Sequence, residues 1–195
     1  WTFPAGAVLM KHFELPIDEQ NPSLVKRMET RFMVQGADGS YFRFTYRWRP
    51  DGSDADLLYD SMDESVQVRK TNGTYETQSW HYPSRTECFS CHSTAAGYVL
   101  GPRTRQLNRD QNYSKTGRTA NQLETLNHLG IFSPAINPAL LPGVLTSKPM
   151  DDASSSWQKR ALSYLDSNCS HCHQPGGTAH ANFDARLSTS PFAQG

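Results

Sequence analysis

"TECFSCHSTAAG", residues 86–97, is where the chain changes character. Before it the sequence alternates like strands; after it come helical runs separated by Pro- and Gly-rich loops. The stretch contains Cys88-Phe-Ser-Cys91-His92, two thiols one helical turn apart with an imidazole directly behind. Ser84-Arg-Thr-Glu87, just upstream, has the capping-box pattern and predicts a short helix that carries the motif. A second copy, Cys169-Ser-His-Cys172-His173, follows another helical run. The fold turns on what these two copies are for.

Upstream, residues 1–83 predict an antiparallel β subdomain, as one sheet or a small sandwich. "RMETRFMVQ" (27–35) and "YFRFTYRWRP" (41–50) flank the Gly/Asp turn "GADGS", a hairpin pattern. In the second run Phe42, Phe44, Tyr46 and Trp48 share one face, and Tyr41, Arg43, Thr45, Arg47 and Arg49 the other. "ESVQVRK" and "TYETQSWHY" lie on either side of Asn72-Gly73 and predict a second hairpin; "AVLMKHFEL" (7–15) predicts a further strand. The aromatic and arginine faces suit a binding surface or a packed strand.

Downstream, "TANQLETLNHLGIF" (119–132) contains a predicted helix closed by Gly130. Residues 133–156, rich in Pro, Ser and Asp, read as a wrapping loop. "SSWQKRALSYLDSNCSHCH" then predicts a helix running into the second motif, with Trp157, Ala161, Tyr164, Leu165 and Asn168 on or near one face. The fold class expected is therefore α+β: the β subdomain, then a mainly helical region.

Composition narrows the partners. Among 195 residues, 19 Lys and Arg balance 19 Asp and Glu, with no polybasic run, which argues against nucleic acid. The longest apolar run, Ala5 to Met10, is far too short for a membrane span. The chain opens on Trp1 without a charged leader, the pattern of a mature or excised chain. Trp1, Trp48, Trp80 and Trp157 suit packing around something flat and apolar, and equally suit an ordinary β-rich domain.

All four cysteines fall in the two motifs, leaving none for a long-range disulfide framework. C-x-x-C-H is the pattern of covalent c-type haem attachment. Two thiols one turn apart reach the two vinyl groups of one porphyrin, and the next imidazole points at the iron. A thioredoxin-type dithiol needs a βαβ context that the chain lacks. A zinc ribbon separates its Cys pairs by roughly 15–20 residues, and Cys91 and Cys169 lie much further apart. Neither rival explains a histidine behind each pair.

The expectation is two covalently bound c-type haems. Cys88, Cys91, Cys169 and Cys172 are the anchors, and His92 and His173 the proximal iron ligands. Residues 84–156 would form the first haem c region and 157–195 the second. Thioether haems are attached outside the cytoplasm, which implies a periplasmic, cell-surface or secreted protein. His12 and His128 are candidate distal ligands, with His81 and Met150 behind them; His180 sits too close to His173 to rank with them. Pro175-Gly-Gly suggests a carbonyl that accepts the His173 N–H. No methionine follows His173, which leaves the second distal position five-coordinate, filled from upstream, or supplied by chain beyond Gly195.

"FPAGAVLMKHFELP", "METRFMV", "YRWRPDGSDADLL", "YPSRTECFSCHSTAAGYVLGPRTRQLNRD", "NQLETLNHLGIF" and "ALSYLDSNCSHCHQPGGTAHANFDAR" together resemble, over nearly the whole chain, a family of bacterial exported di-haem cytochrome c modules. In that family the module occurs alone, or fused to sugar-dehydrogenase-like propellers or carbohydrate-binding domains. The resemblance implies one-electron transfer between a redox enzyme and an acceptor. The partner would be a quinoprotein sugar dehydrogenase or an oxidative polysaccharide-degrading enzyme. It also implies a Met-Pro-Pro-type segment and a final helix beyond the equivalent of Gly195, so the chain reads as truncated there. The rival readings are a di-haem peroxidase-like enzyme and a haem-based redox or gas sensor with one open coordination site.

Overall fold

The computed structural model describes residues 1–180 and 183–189. The chain falls into two compact units, Trp1–Ser90 and Cys91–Gly195.

In the first unit, β1 (Val8–Pro16), β2 (Val25–Gln35), β3 (Tyr41–Trp48) and β4 (Ala55–Leu58) form an antiparallel sheet in that order. The hairpin around residues 36–40 pairs Gln35 with Tyr41, as the Gly/Asp turn predicts. The short edge strand β4 was not foreseen. A separate ribbon, β5 (Met62–Arg69) and β6 (Tyr75–Tyr82), turns through Asn72-Gly73, where Gly73 has φ 84°. Leu15, Met28, Val66, Val68 and Tyr82 make the buried core between sheet and ribbon, flanked by Ile17, Leu58, Met62 and Trp80. Helix α1 (Arg85–Cys91) begins with the expected capping box: the Ser84 N–H donates to Glu87 Oε2 at 2.7 Å, and the Glu87 N–H to Ser84 Oγ at 3.3 Å.

On β3 the arginine face turns inward. Arg43 and Thr45 are buried, whereas Phe42 on the aromatic face is 52% exposed. The charges are admitted because each has a partner. Arg47 pairs with Glu64 at 2.9 Å, and the Arg43 guanidinium lies 4.0 Å from the Phe89 ring centre. Arg31 clasps the fully buried Glu29 through Nε at 2.8 Å and a terminal nitrogen at 2.5 Å, and Trp80 Nε1 donates to the same carboxylate at 3.2 Å. Glu64 also receives Tyr82 Oη–H at 2.9 Å and the Lys26 ammonium. Burial pushes the Glu64 carboxyl up, but Lys26, Tyr82 and Arg47 outweigh it and hold it below the usual carboxylate range.

His81 shows a pH dependence. Its Nδ1 meets Asp63 at 2.8 Å and its Nε2 meets Glu87 at 3.4 Å. The hydrogen bond to Asp63, with Glu87 adding to it, raises the imidazole pKa above its usual 6.5. A raised folded pKa stabilises the fold below the unfolded value, and that contribution fades as pH rises through the folded one. Thermal melts from about pH 5 to about pH 8 should therefore show the wild type losing more stability than His81→Gln. Identical slopes would remove His81 from the account.

The second unit is not mainly helical, contrary to the sequence expectation. Its helices α2 (Thr104–Leu107), α3 (Gln122–His128) and α4 (Trp157–Asn168) are joined by a β-ribbon, β7 (Asp110–Tyr113) with β8 (Arg118–Asn121), and by irregular chain including a 3-10 turn at Pro138–Gly143. The helix within 119–132 starts only at Gln122, because Arg118–Asn121 is taken by β8. Asparagine side chains do much of the holding. Asn108 Nδ2 donates to the Leu141 and Val144 carbonyls at 2.9 and 3.1 Å, and its Oδ1 accepts from Asn121 at 2.9 Å. Asn127 pairs with both the N–H and the C=O of Ile136. Such pairings satisfy loop backbone that no ladder serves.

Helix α4, capped by Ser156, turns a polar face inward. Arg160, Ser163 and Asp166 are its buried residues, while Trp157 and Tyr164 stand 73% and 51% exposed. The helix stops at Asn168, so Cys169 is its C-cap and Cys172 lies in the following turn rather than on a helix. No helix among the described residues is long and apolar enough to cross a membrane.

Candidate haem-attachment motifs

Cys88 and Cys91 lie three positions apart on α1, on neighbouring turns of one face. The Cys88 thiol is half-buried and donates to the Ser84 carbonyl at 3.3 Å. Burial pushes its pKa up, against the opposing pull of Arg31 and Arg43.

His92 follows the helix, and its Nδ1 lies 2.6 Å from the Tyr98 carbonyl oxygen. A carbonyl only accepts, so Nδ1 carries the proton and Nε2 keeps its lone pair. This is the arrangement that orients a metal-ligating imidazole. Tyr98 is the one non-glycine residue among those described with a left-handed backbone, φ 61°. Its N–H donates to Ser93 at 3.0 Å, and its hydroxyl meets Thr94 Oγ1 at 2.9 Å. Such a conformation costs on the order of 1–3 kcal/mol, and here it turns the carbonyl onto His92. Tyr98 was missed in the sequence, because a left-handed tyrosine has no sequence signal.

The second motif is built by turns. Cys172 N–H and His173 N–H both donate to the Cys169 carbonyl, at 3.2 and 2.9 Å. His173 Nδ1 is buried with no hydrogen-bond partner among the described residues, so the bond expected from the Pro175 segment is not made and its counterpart occurs at His92. The His173 ring instead meets Phe183 edge-on, with centroids 5.7 Å apart. His171, a filler position in the motif, is buried with Nε2 2.8 Å from the Ser167 carbonyl. Burial lowers its pKa.

Gly177 is required by close approach, since a Cβ there would collide with the Cys172 carbonyl. Gly177→Ala is expected to cost about 1–3 kcal/mol as the turn is forced apart, read as a fall in the urea midpoint. An unchanged midpoint would show that the turn relaxes freely.

The candidate distal ligands are scattered. His12, exposed on β1, has Nδ1 2.7 Å from Thr30 Oγ1, which also accepts from Trp48 Nε1 at 2.9 Å. His81 engages carboxylates with both nitrogens. His128 ends α3, exposed beside Leu129, and Met150 is 51% exposed in a loop. His180 is exposed. Residues 181–182 and 190–195 lie outside the described residues.

Among the described residues no three His, Cys, Asp or Glu side chains gather as a metal-binding group. Between the two motifs, Cys91 Sγ lies 3.9 Å from Cys172 Sγ. A groove of about 310 Å³ lies between the 3-10 segment and α4, lined by Val144, Leu145, Lys148, Lys159, Leu162 and Leu187 among others; none of the six motif residues lines it. No family model, no curated protein and no solved structure matches this chain.

Proposed function

We propose that the chain is an extracytoplasmic di-haem c-type cytochrome that carries single electrons between a redox enzyme and an acceptor. The observation that carries this reading is the His92 imidazole, held by the Tyr98 carbonyl with Nε2 left as the ligating atom, immediately behind two thiols on one helix face. Cys88 and Cys91 anchor one haem, with His92 as proximal ligand; Cys169, Cys172 and His173 serve the other. Bound haem supplies one-electron chemistry at iron, tuned by its ligands and by burial.

The distribution of apolar side chains supports a flat apolar group in the second unit. Its buried apolar residues are few and mostly small or aliphatic: Ala96, Leu123, Leu141, Ala185 and Leu187. Larger ones stand outside: Leu129, Ile131, Trp157, Tyr164 and Phe183 are all at least 48% exposed. A chain that buries so little of its own apolar surface suits a second component of its core. The second unit is thus a cytochrome c-like region with short helices, and haem takes the place of helix-on-helix packing. The polypeptide orients the imidazoles and shields the irons from water. By the resemblance above, the electron donor is a quinoprotein sugar dehydrogenase or an oxidative polysaccharide-degrading enzyme.

The test is a potentiometric titration of the visible spectrum on protein matured in a periplasm. Two low-spin c-type components indifferent to carbon monoxide and peroxide are expected. A high-spin component that binds them would transfer the reading to peroxidase or sensor chemistry, and absent haem absorbance would end it.

A further inference from the structure

Cys91 of the first motif and Cys172 of the second come together within the second unit, although nothing in their spacing along the chain demands it. Cys91 ends α1 and Cys172 lies in the turn after α4, 81 positions later, yet their sulfurs are 3.9 Å apart. A second contact accompanies the first. Gly176, at φ 73°, lies so close to the loop after the first motif that a Cβ there would sit 3.8 Å from Ala95 Cβ. The turns that follow both motifs therefore pack on each other.

We propose that Cys91 and Cys172 form a sulfur-to-sulfur junction that couples the two haems into one interacting redox pair. This rests on the di-haem reading. In attachment each thiol adds across a vinyl group: a C–S bond forms, the thiol hydrogen goes to the neighbouring carbon, and no oxidant or reductant is consumed. With both haems attached, each sulfur would stand one carbon from its own porphyrin ring, and the Cys91–Cys172 contact would be where the two attachments meet. Sulfur is polarizable, and its contact provides a short path with no intervening backbone. Exchange across it would balance by itself, since one haem would lose the electron that the other gains. Charge on one oxidised haem would then also bear on the second through protein rather than water.

The test compares three proteins matured in a periplasm: wild type, Cys88→Ala/Cys91→Ala and Cys169→Ala/Cys172→Ala. Each is followed by potentiometric titration and by electron paramagnetic resonance. The expected result is a wild type that differs from the sum of the single-motif variants, with shifted midpoints and spin–spin broadening that both variants lose. Two haems that titrate and resonate as that sum overturn the junction and leave the haem reading intact. Absence of pigment overturns both.

A second arm probes the sulfurs without haem. Cys88→Ala/Cys169→Ala chain, made unloaded, is treated with diamide. Diamide takes two hydrogens and two electrons from two thiols and leaves a disulfide. Peptide mass analysis should find Cys91 joined to Cys172 within one chain. A folded chain that yields no such link overturns the juxtaposition, and with it the junction.

Discussion

Replacing Cys88 and Cys91 together with alanine is expected to remove half of the covalent pigment, and replacing Cys169 and Cys172 the other half. Altering all four should leave a colourless chain. The argument is stoichiometric: every cysteine of the chain lies in these two motifs, so no other thiol can substitute. His92→Ala acts differently, because it leaves both thioether anchors and removes the imidazole that the Tyr98 carbonyl holds at 2.6 Å. The expected signature is retained mass with a high-spin spectrum for one haem. Intact mass together with pyridine haemochrome absorbance checks both results. A wild-type chain that carries no added mass after periplasmic maturation would return the four thiols to zinc chemistry, with metal analysis as the next measurement.

The second large effect is on stability. Asp166 of α4 is fully buried and takes Arg105 Nε at 2.5 Å, a terminal Arg105 nitrogen at 2.6 Å and the Leu187 N–H at 2.9 Å. One carboxylate thus ties α4 to α2 and to the Leu187–Thr189 turn, three residues ahead of Cys169. Asp166→Ala leaves the Arg105 charge, itself only 18% exposed, without its partner. Removing one member of such a pair costs roughly 3–5 kcal/mol. That is a large share of the roughly 5–15 kcal/mol that holds a typical domain. Asp166→Asn keeps an oxygen for Leu187 and should lose less. The exposed Arg49–Asp56 pair, 46% and 60% exposed, is the control; Arg49→Ala should leave the urea midpoint almost unchanged. Urea denaturation of the three variants decides it, and equal midpoints for Asp166→Ala and Arg49→Ala would refute the buried-tie account.

Strand pairing in the first unit was legible because it rests on local chemistry. Alternation marks a strand, and Asn72-Gly73 and the residue 36–40 turn fix two hairpins by backbone preference alone. Which face turns inward was not legible. Phe42 and Arg43 alternate whichever side is buried; on the side that turned inward, Arg43 stacks on the Phe89 ring and Arg47 pairs with Glu64. The same holds for α4, where Arg160 donates to the Met150 carbonyl at 2.8 Å and stacks 3.8 Å from the Trp157 ring centre. Hydrophobic periodicity cannot anticipate burial that polar partners license.

Attachment chemistry stands at the other extreme. Cys-x-x-Cys-His is complete within five consecutive residues, so the anchors and the proximal imidazole that we propose can be read from the sequence by itself. The capping box that starts α1 is likewise local. What only the tertiary structure decided involves residues far apart in the chain: the left-handed Tyr98 that aims a carbonyl at His92, the Asp166 tie, and the meeting of Cys91 with Cys172 across 81 positions. Short-range spacing determines which atoms can react. Which of them meet depends on the loops that Asn108 and Asn127 pin in place, and side-chain hydrogen bonds to distant backbone leave no periodic trace in a sequence.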